Sequence, residues 1–360
     1  MAIADIRRAN KQYEKWLRSE LRGDVVASDL AEKWRKMSAA PFPFLRATYW
    51  RWAETIFDVC PALKAAPTVL AVGDIHLENF GTWRDADGRV VWGVNDFDEA
   101  AEMPYVLDLV RLATSAILAR PSRIFRSKDV CAAILRGYAH GLKNPAPTVL
   151  DEDGAWLRRF LLLSETERMR FWQKMDHLPS VRKGPPALYR KAIEAAMPER
   201  DIEIIKFARR TAGAGSLGRP RWVGIAHWRG GRVIREAKAA VPSGWTRIPG
   251  RGPRTLRCAD LASGRYRAPD PWWRLTGNII VRRLSPNSRK IEVVGNPEQL
   301  LGRQMLRTMG HELASVHLGT TNRRAALDKD FSRRDPDWLL SAAKTAARFA
   351  TSEYKDWRRG

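Results

Sequence analysis

Two clusters of acidic and amide residues lie close together in this chain, each at the end of a short apolar run. Thr68-Val69-Leu70-Ala71-Val72 leads into Gly73-Asp74-Ile75-His76-Leu77-Glu78-Asn79, and Val90-Val91-Trp92-Gly93-Val94 leads into Asn95-Asp96-Phe97-Asp98-Glu99. Short β-branched runs of this kind read as strands, so both clusters are expected at strand carboxyl ends. Such a set suits chemistry on a nucleotide phosphate. Asp74 can orient a hydroxyl, while Asn79 and Asp96, with Asp98 as a further ligand, offer oxygens to Mg2+. His76 stands beside Asp74 as a second catalytic candidate, with a plainer reading in which it hydrogen-bonds the loop backbone. Between the clusters, Asp85-Ala86-Asp87-Gly88 is read as a hairpin turn.

Farther along, Gly213-Ala214-Gly215-Ser216-Leu217-Gly218 falls between two candidate strands, and the next strand carries Lys238. A dinucleotide-binding fold would place a helix after such glycines. Strand, glycine loop, strand, turn and strand with lysine is instead how a protein-kinase small lobe covers ATP. Gly213, Gly215, Ser216 and Gly218 would let the backbone approach phosphates, and Lys238 would neutralise them.

The elements that must position these groups divide into three stretches. Residues 4–58 read as two or three helices, and 67–96 as the two-stranded unit above. Helical spacing of apolar residues then predicts helices within 104–119, 127–141, 153–174 and 186–197. From 201 to about 294 the pattern changes to short runs broken by Gly and Pro, with strands expected at 202–210, 221–228, 232–239, 277–284 and 290–294 and a loop at 242–256. Helices return at 297–318 and 336–357. The expected division is therefore 1–200 as a helical part with the catalytic and metal loops, 201–295 as a β-rich glycine-loop lobe, and 296–360 as helices returning to the first part.

Composition narrows the partners. The 360 residues include 44% hydrophobic side chains, enough for a sizeable core, and 15 Trp. With 63 Lys and Arg against 40 Asp and Glu, the net charge of +23 favours anionic partners. Arg46, Arg111, Arg182 and Lys183 point toward an anionic small-molecule acceptor, and Arg46, after Phe42-Pro43-Phe44-Leu45, is the single substrate-contact candidate. Nucleic acid is compatible with the charge but not favoured, because no reading helix or stacking motif accompanies the arginines. The three scattered cysteines suggest neither a zinc ribbon nor a disulfide framework. No signal peptide or membrane span is read, and a cytoplasmic protein is expected.

Both halves of a kinase-like site are present, but the catalytic-loop candidate precedes the glycine loop, the reverse of the usual order. A circularly permuted arrangement follows, since close termini make permutation feasible in compact domains. Leu313-Ala314-Ser315-Val316-His317 resembles the helix that lies just upstream of the catalytic loop in aminoglycoside and choline phosphotransferases. Together with G-D-I-H-L-E-N-F-G, N-D-F-D-E, L-D-L-V-R-L and G-A-G-S-L-G, these residues resemble the bacterial family called domain of unknown function 2252. That family is similar to protein-kinase-like and aminoglycoside-phosphotransferase-like proteins. The resemblance implies an α+β, two-lobed, kinase-like fold using ATP (or GTP) and Mg2+, with Asp74 as the catalytic-loop aspartate, Asn79 and Asp96 as metal ligands, Lys238 on the phosphates, and Asp108 bracing the catalytic loop. Ala239 stands where the family usually has Glu, and no helix glutamate for Lys238 is evident beyond Asp260 and Glu298.

Two alternatives belong beside this reading. A catalytically silent nucleotide sensor of the same fold would also fit. G-D-x-H also opens two-metal phosphoesterase sites, with His76 as a ligand. The later Gly-Asp and Gly-Asn-His blocks of those enzymes are missing here.

Overall fold

The computed structural model describes residues 3–119, 126–152, 154–161, 163–293 and 297–359. It is a mixed α+β structure whose strands form antiparallel sheets. Strands β1 (Thr68–Ala71), β2 (Phe80–Arg84), β3 (Val90–Val94) and β4 (Ala101–Pro104) follow one another in sequence. β2 pairs with β3 in the register Phe80↔Val94 to Arg84↔Val90, and β5 (Thr148–Val149) adds to the far edge of β3. The hairpin closes because the Asp85 carboxylate accepts from the backbone N–H groups of Asp87 and Arg89 (3.1 and 2.9 Å). β1 pairs with β4, Thr68 opposite Pro104 and Ala71 opposite Ala101. Both acidic loops are therefore nested, one between β1 and β2 and the other between β3 and β4, each tethered at both ends.

Strands β6 (Ile204–Arg209), β7 (Arg221–Trp228), β8 (Gly231–Ala239), β9 (Arg274–Thr276) and β10 (Ile279–Leu284) form a separate sheet in the order β6-β7-β8-β10-β9. The β7–β8 hairpin turns through Arg229 and Gly230, both at positive φ (45° and 80°), a geometry that matches the twist of the flanking strands. Cross-strand register sets one face. Lys238 lies opposite Arg221 and Ile280, and Glu236 opposite Val223 and Arg282. The glycine loop is the β6–β7 connection.

The main core surrounds the helix Val106–Leu118, whose residues from Val106 to Ala116 are all buried. Against it packs Trp338–Arg359, whose Ala343, Ala346 and Ala350 permit a close approach. Arg303–Gly319 crosses Ser127–Lys143 where Gly137, Gly141 and Gly310 leave no room for a side chain; a Cβ on Gly141 would sit 2.6 Å from the His311 carbonyl. Among the described residues no helix is long and apolar enough to cross a membrane.

Several expected elements differ. The helix expected over 153–174 is two helices, Ala155–Leu161 and Glu165–Asp176, because Ser164 and Glu167 form a reciprocal capping box that starts the second. Residues 290–293 form no strand: Val293 N–H donates to the Glu78 side chain (2.8 Å) and not to a ladder, and position 294 lies outside the described residues. The helix expected over 297–318 breaks at Leu301–Gly302 into Pro297–Leu300 and Arg303–Gly319. The run 277–284 begins in a turn and contributes β10, with β9 before it.

Candidate functional site

A cavity of about 50 Å3 collects most of the singled-out residues. Arg46, Asp74, His76, Asn79, Asp96, Asp98, Gly213, Gly215 and Ser216 line it, together with Glu99, Ala214, Arg219 and Lys290. The two acidic loops and the glycine loop therefore meet, although they come from different sheets. Gly218 lies at the end of its loop, outside the lining, where Leu17 and Leu30 leave no space for a side chain. Asp108 is fully buried behind the cavity.

Asp74 is held on one side only. The Arg111 guanidinium donates through Nε (3.1 Å) and Nη2 to Asp74 Oδ1, and Nη2 also reaches the Leu45 carbonyl. Arg111 is fully buried and lies over the Tyr49 and Trp52 rings, so it serves Asp74 and does not face an external ligand. Asp74 Oδ2 faces the glycine loop, 3.0 Å from where a Cβ on Gly215 would lie. A side chain there would press on this carboxylate and on the Arg46 carbonyl 3.3 Å away, so glycine keeps the loop close to Asp74 without strain. Burial raises the Asp74 pKa above the ordinary carboxylate value, with Arg111 opposing the rise.

Asn79 Nδ2 donates to the carbonyls of Asp74 (3.1 Å) and Asp96 (3.0 Å), linking the two loops. This leaves Asn79 Oδ1 buried without a hydrogen-bond partner among the described residues. An orphaned carbonyl oxygen on a residue that lines the cavity with Asp96 is an incomplete oxygen set of the kind a hard cation completes. Burial alone would raise the Asp96 pKa, but Lys238 and Lys290 hold it below the usual range. Among the described residues no three His, Cys, Asp or Glu side chains gather into a metal cage, and Mg2+ does not demand one, since it commonly takes one or two carboxylates and retains water.

Lys238 Nζ lies 3.7 Å from Asp96 Oδ1 and donates to both oxygens of Asp98. Its acidic partner is thus the second carboxylate of the metal-loop candidate. Asp260, considered for that role, instead pairs with Arg257. Arg219, immediately after the glycine loop, bridges Asp98 (3.2 Å) and Glu99 (2.9 Å). Asp98 is therefore engaged by two cations. His76 Nδ1 accepts from the Glu78 N–H (3.1 Å), and burial, with Arg46 and Arg111 nearby, lowers its pKa well below the ordinary histidine value. The shift favours the neutral ring. Arg46 ion-pairs with Glu78 and lies over the Phe42 ring.

Asp108 fixes the start of the first loop. Its two oxygens accept from the N–H groups of Val72 (2.8 Å) and Gly73 (2.9 Å), and His317 Nε2 lies 3.0 Å from Oδ2. Glu312, five residues before His317 on the same helix, accepts from Val94 N–H (3.0 Å) at the start of the second loop. Asp108→Ala would orphan two buried N–H groups, and a loss on the order of 3 kcal/mol is expected in chemical denaturation. A loss within 0.5 kcal/mol, roughly that of a neutral surface substitution, would contradict this bracing role.

Four residues were misread or missed in the sequence: Arg111 was given to an anionic acceptor when it holds Asp74, and Arg219, Glu99 and Lys290 were passed over. A signal existed for two of them. Arg111 interrupts an otherwise apolar helix three residues after Asp108, and Arg219 directly follows the third glycine. No curated protein and no solved structure matches the chain. Residues 25–169, which carry both acidic loops, Arg46 and Asp108, match the model of a family described as "Uncharacterized protein conserved in bacteria (DUF2252)".

Proposed function

We propose that this protein is a kinase-like phosphotransferase that moves the γ-phosphoryl group of ATP (or GTP) to a small anionic acceptor bearing a hydroxyl, with Mg2+. The observation that carries the reading is the pairing of Lys238 with Asp98, 140 residues away in sequence, and its approach to Asp96, two carboxylates that line a cavity together with Asp74, Asn79 and the glycine loop. On this reading residues 201–295 are the small lobe, and 1–200 with 296–360 form the large one, a circular permutation of the kinase-like arrangement. The helix Arg303–Gly319 supports it, since it comes from near the chain end yet braces both acidic loops through His317 and Glu312.

Each residue has a role. Asp74 Oδ2, free of Arg111, accepts the acceptor's hydroxyl proton. The hydroxyl oxygen attacks the γ-phosphorus, the bond to the β–γ bridging oxygen breaks, and the nucleoside diphosphate leaves. Asn79 Oδ1 and Asp96 would hold Mg2+, which when bound supplies charge neutralisation on the phosphate oxygens. Lys238 and Arg219 supply positive charge opposite the phosphates, and the loop from Gly213 to Ser216 brings backbone N–H groups close. Arg46 lines the acceptor side.

A cavity of about 50 Å3 holds a water or two, not a triphosphate. The glycine loop must lift from Asp74 to admit one. Elements from the chain's start restrain that movement. Val26 N–H donates to the Gly218 carbonyl (3.0 Å), Thr211 Oγ1 donates to Asp29 (2.7 Å), and the buried Lys33 approaches the Gly215 carbonyl (3.5 Å).

Calorimetric titration with Mg-ATP and Mg-GTP tests the proposal. Saturable heat is expected with at least one nucleotide, and Asp96→Asn should reduce it. Absence of binding by the folded wild type to either nucleotide would overturn the reading. The catalytically silent sensor has one observation in its favour, the capping of Asp74 Oδ1 by Arg111. Nucleotide binding without transfer to any acceptor, or to water, would select it.

A further inference from the structure

A second and larger cavity, of about 450 Å3, lies on the other side of the Asn95-Asp96-Phe97 segment. Backbone alternation divides this segment between two compartments: Asp96 lines the smaller cavity, while Asn95 and Phe97 line the larger. The remaining walls come from β2, from the stretch 259–276, from β10, and from Ser288 after it. Its volume falls within the range of small-molecule sites, and nothing in the phosphotransfer scheme uses it.

We propose that this cavity is a second small-molecule site, built for a planar aromatic anion. Trp83, Phe97 and Trp273 line it and offer flat apolar faces. Among the described residues its charged lining is four guanidinium groups against a single carboxylate, Asp270, which pairs with Arg283 (3.3 Å). Arg282 adds to the imbalance, because the Glu236 carboxylate it meets is shared with Arg210 and Arg221. Arg267 is the most buried of the four, with 7% of its side chain exposed, and its Nη atoms are held from behind the lining by Glu312 (3.1 Å) and the Val94 carbonyl (2.9 Å). It is stacked 4.6 Å from the Trp83 centroid and 4.7 Å from that of Phe97, with its Nε left without a partner among the described residues. Asn95 Oδ1 is likewise buried and unpartnered among the described residues. A cation already sandwiched between aromatic rings prepares the site for a flat, electron-rich ligand. The excess of guanidinium over carboxylate selects an acidic one. Asn95 Oδ1 would take a donor on the ligand's rim.

The test is calorimetry of the full chain with four probes: 1-naphthyl phosphate, 1-naphthoate, cyclohexanecarboxylate and 1-naphthylmethylammonium. The two aryl anions are expected to bind, with the saturated acid and the aryl cation at least about tenfold weaker. Trp273→Ala and Arg283→Gln, each checked for folding by circular dichroism, are expected to weaken 1-naphthyl phosphate by about tenfold or more. Asp74→Asn, in the other cavity, is expected to leave its affinity within about twofold, which separates this site from the proposed nucleotide site. AMP offers the same chemistry from a nucleotide. Displacement of 1-naphthyl phosphate by AMP assigns the site to nucleotides, and its absence assigns the site to other aryl acids. No saturable binding of either aryl anion, equal affinity for the aryl cation, or weakening by Asp74→Asn but not by Trp273→Ala would overturn the proposal.

Discussion

Asp74→Asn is expected to slow phosphoryl transfer by about 10²–10⁴-fold, the usual contribution of a positioned base, while sparing Mg-nucleotide affinity. The geometry makes this a clean substitution. Arg111 donates only to Oδ1, so an Asn carbonyl oxygen in that place keeps both guanidinium contacts. The amide nitrogen then replaces Oδ2, the oxygen facing Gly215, and proton acceptance is lost there without loss of shape. Asp96→Asn is expected to behave differently and weaken Mg-nucleotide binding, because Asp96 lies 3.7 Å from Lys238 and lines the cavity together with Asn79. Single-turnover transfer from labelled ATP to a metabolite mixture, paired with calorimetry on both variants, separates the two effects. Equal loss of binding in both would show that the roles of the two aspartates are misassigned.

Glu236→Ala is expected to cost about 3–5 kcal/mol of folding stability, the scale for breaking a buried ion pair from one side. Glu236 is fully buried on β8, and Arg210, Arg221 and Arg282 all donate to it. Its removal leaves three guanidinium groups crowded together without their carboxylate. The effect also has a pH signature. Burial alone would raise the Glu236 pKa, but Arg221, Arg282 and Arg210 hold it well below the ordinary value in the folded state. The unfolded chain binds its proton near pH 4.3. The stabilisation is therefore complete above that pH and is lost as pH falls toward the depressed folded value. Urea midpoints measured from about pH 5 downward should fall for the wild type, and Glu236→Ala should flatten that part of the curve. A cost below about 1 kcal/mol would place the cluster among the weak surface pairs.

Local patterns made much of this arrangement legible. Both acidic loops follow short apolar runs, and β-branched residues ahead of polar ones mark strand ends wherever they occur. Strands β7 and β8 with Lys238, and the glycine loop between β6 and β7, follow from alternation and turn chemistry for the same reason. These signals reside within a few consecutive residues. The capping box Ser164-Glu165-Thr166-Glu167 was equally local, and it marks the helix break that apolar spacing alone conceals.

Partnerships across the chain were a different matter. Periodicity places Arg111 on a helix, but only packing against Tyr49 and Trp52 aims its guanidinium at Asp74. Lys238 needed an acidic partner, and sequence offered Asp260 or Glu298. The fold supplied Asp98, because the β8 face carrying Lys238 closes over the loop after β3. Glu312 and His317 lie on one helix in any reading, about 140° apart around its axis. Their bonds to Val94 and Asp108 arise from the crossing that Gly137, Gly141 and Gly310 allow. Residue types and their local spacing thus determined which groups could do chemistry and which strands and helices carry them. Tertiary structure decided which charges neutralise one another, because Coulomb energy and desolvation depend on distance and burial in space, and neither is written in the interval between two residues along the chain.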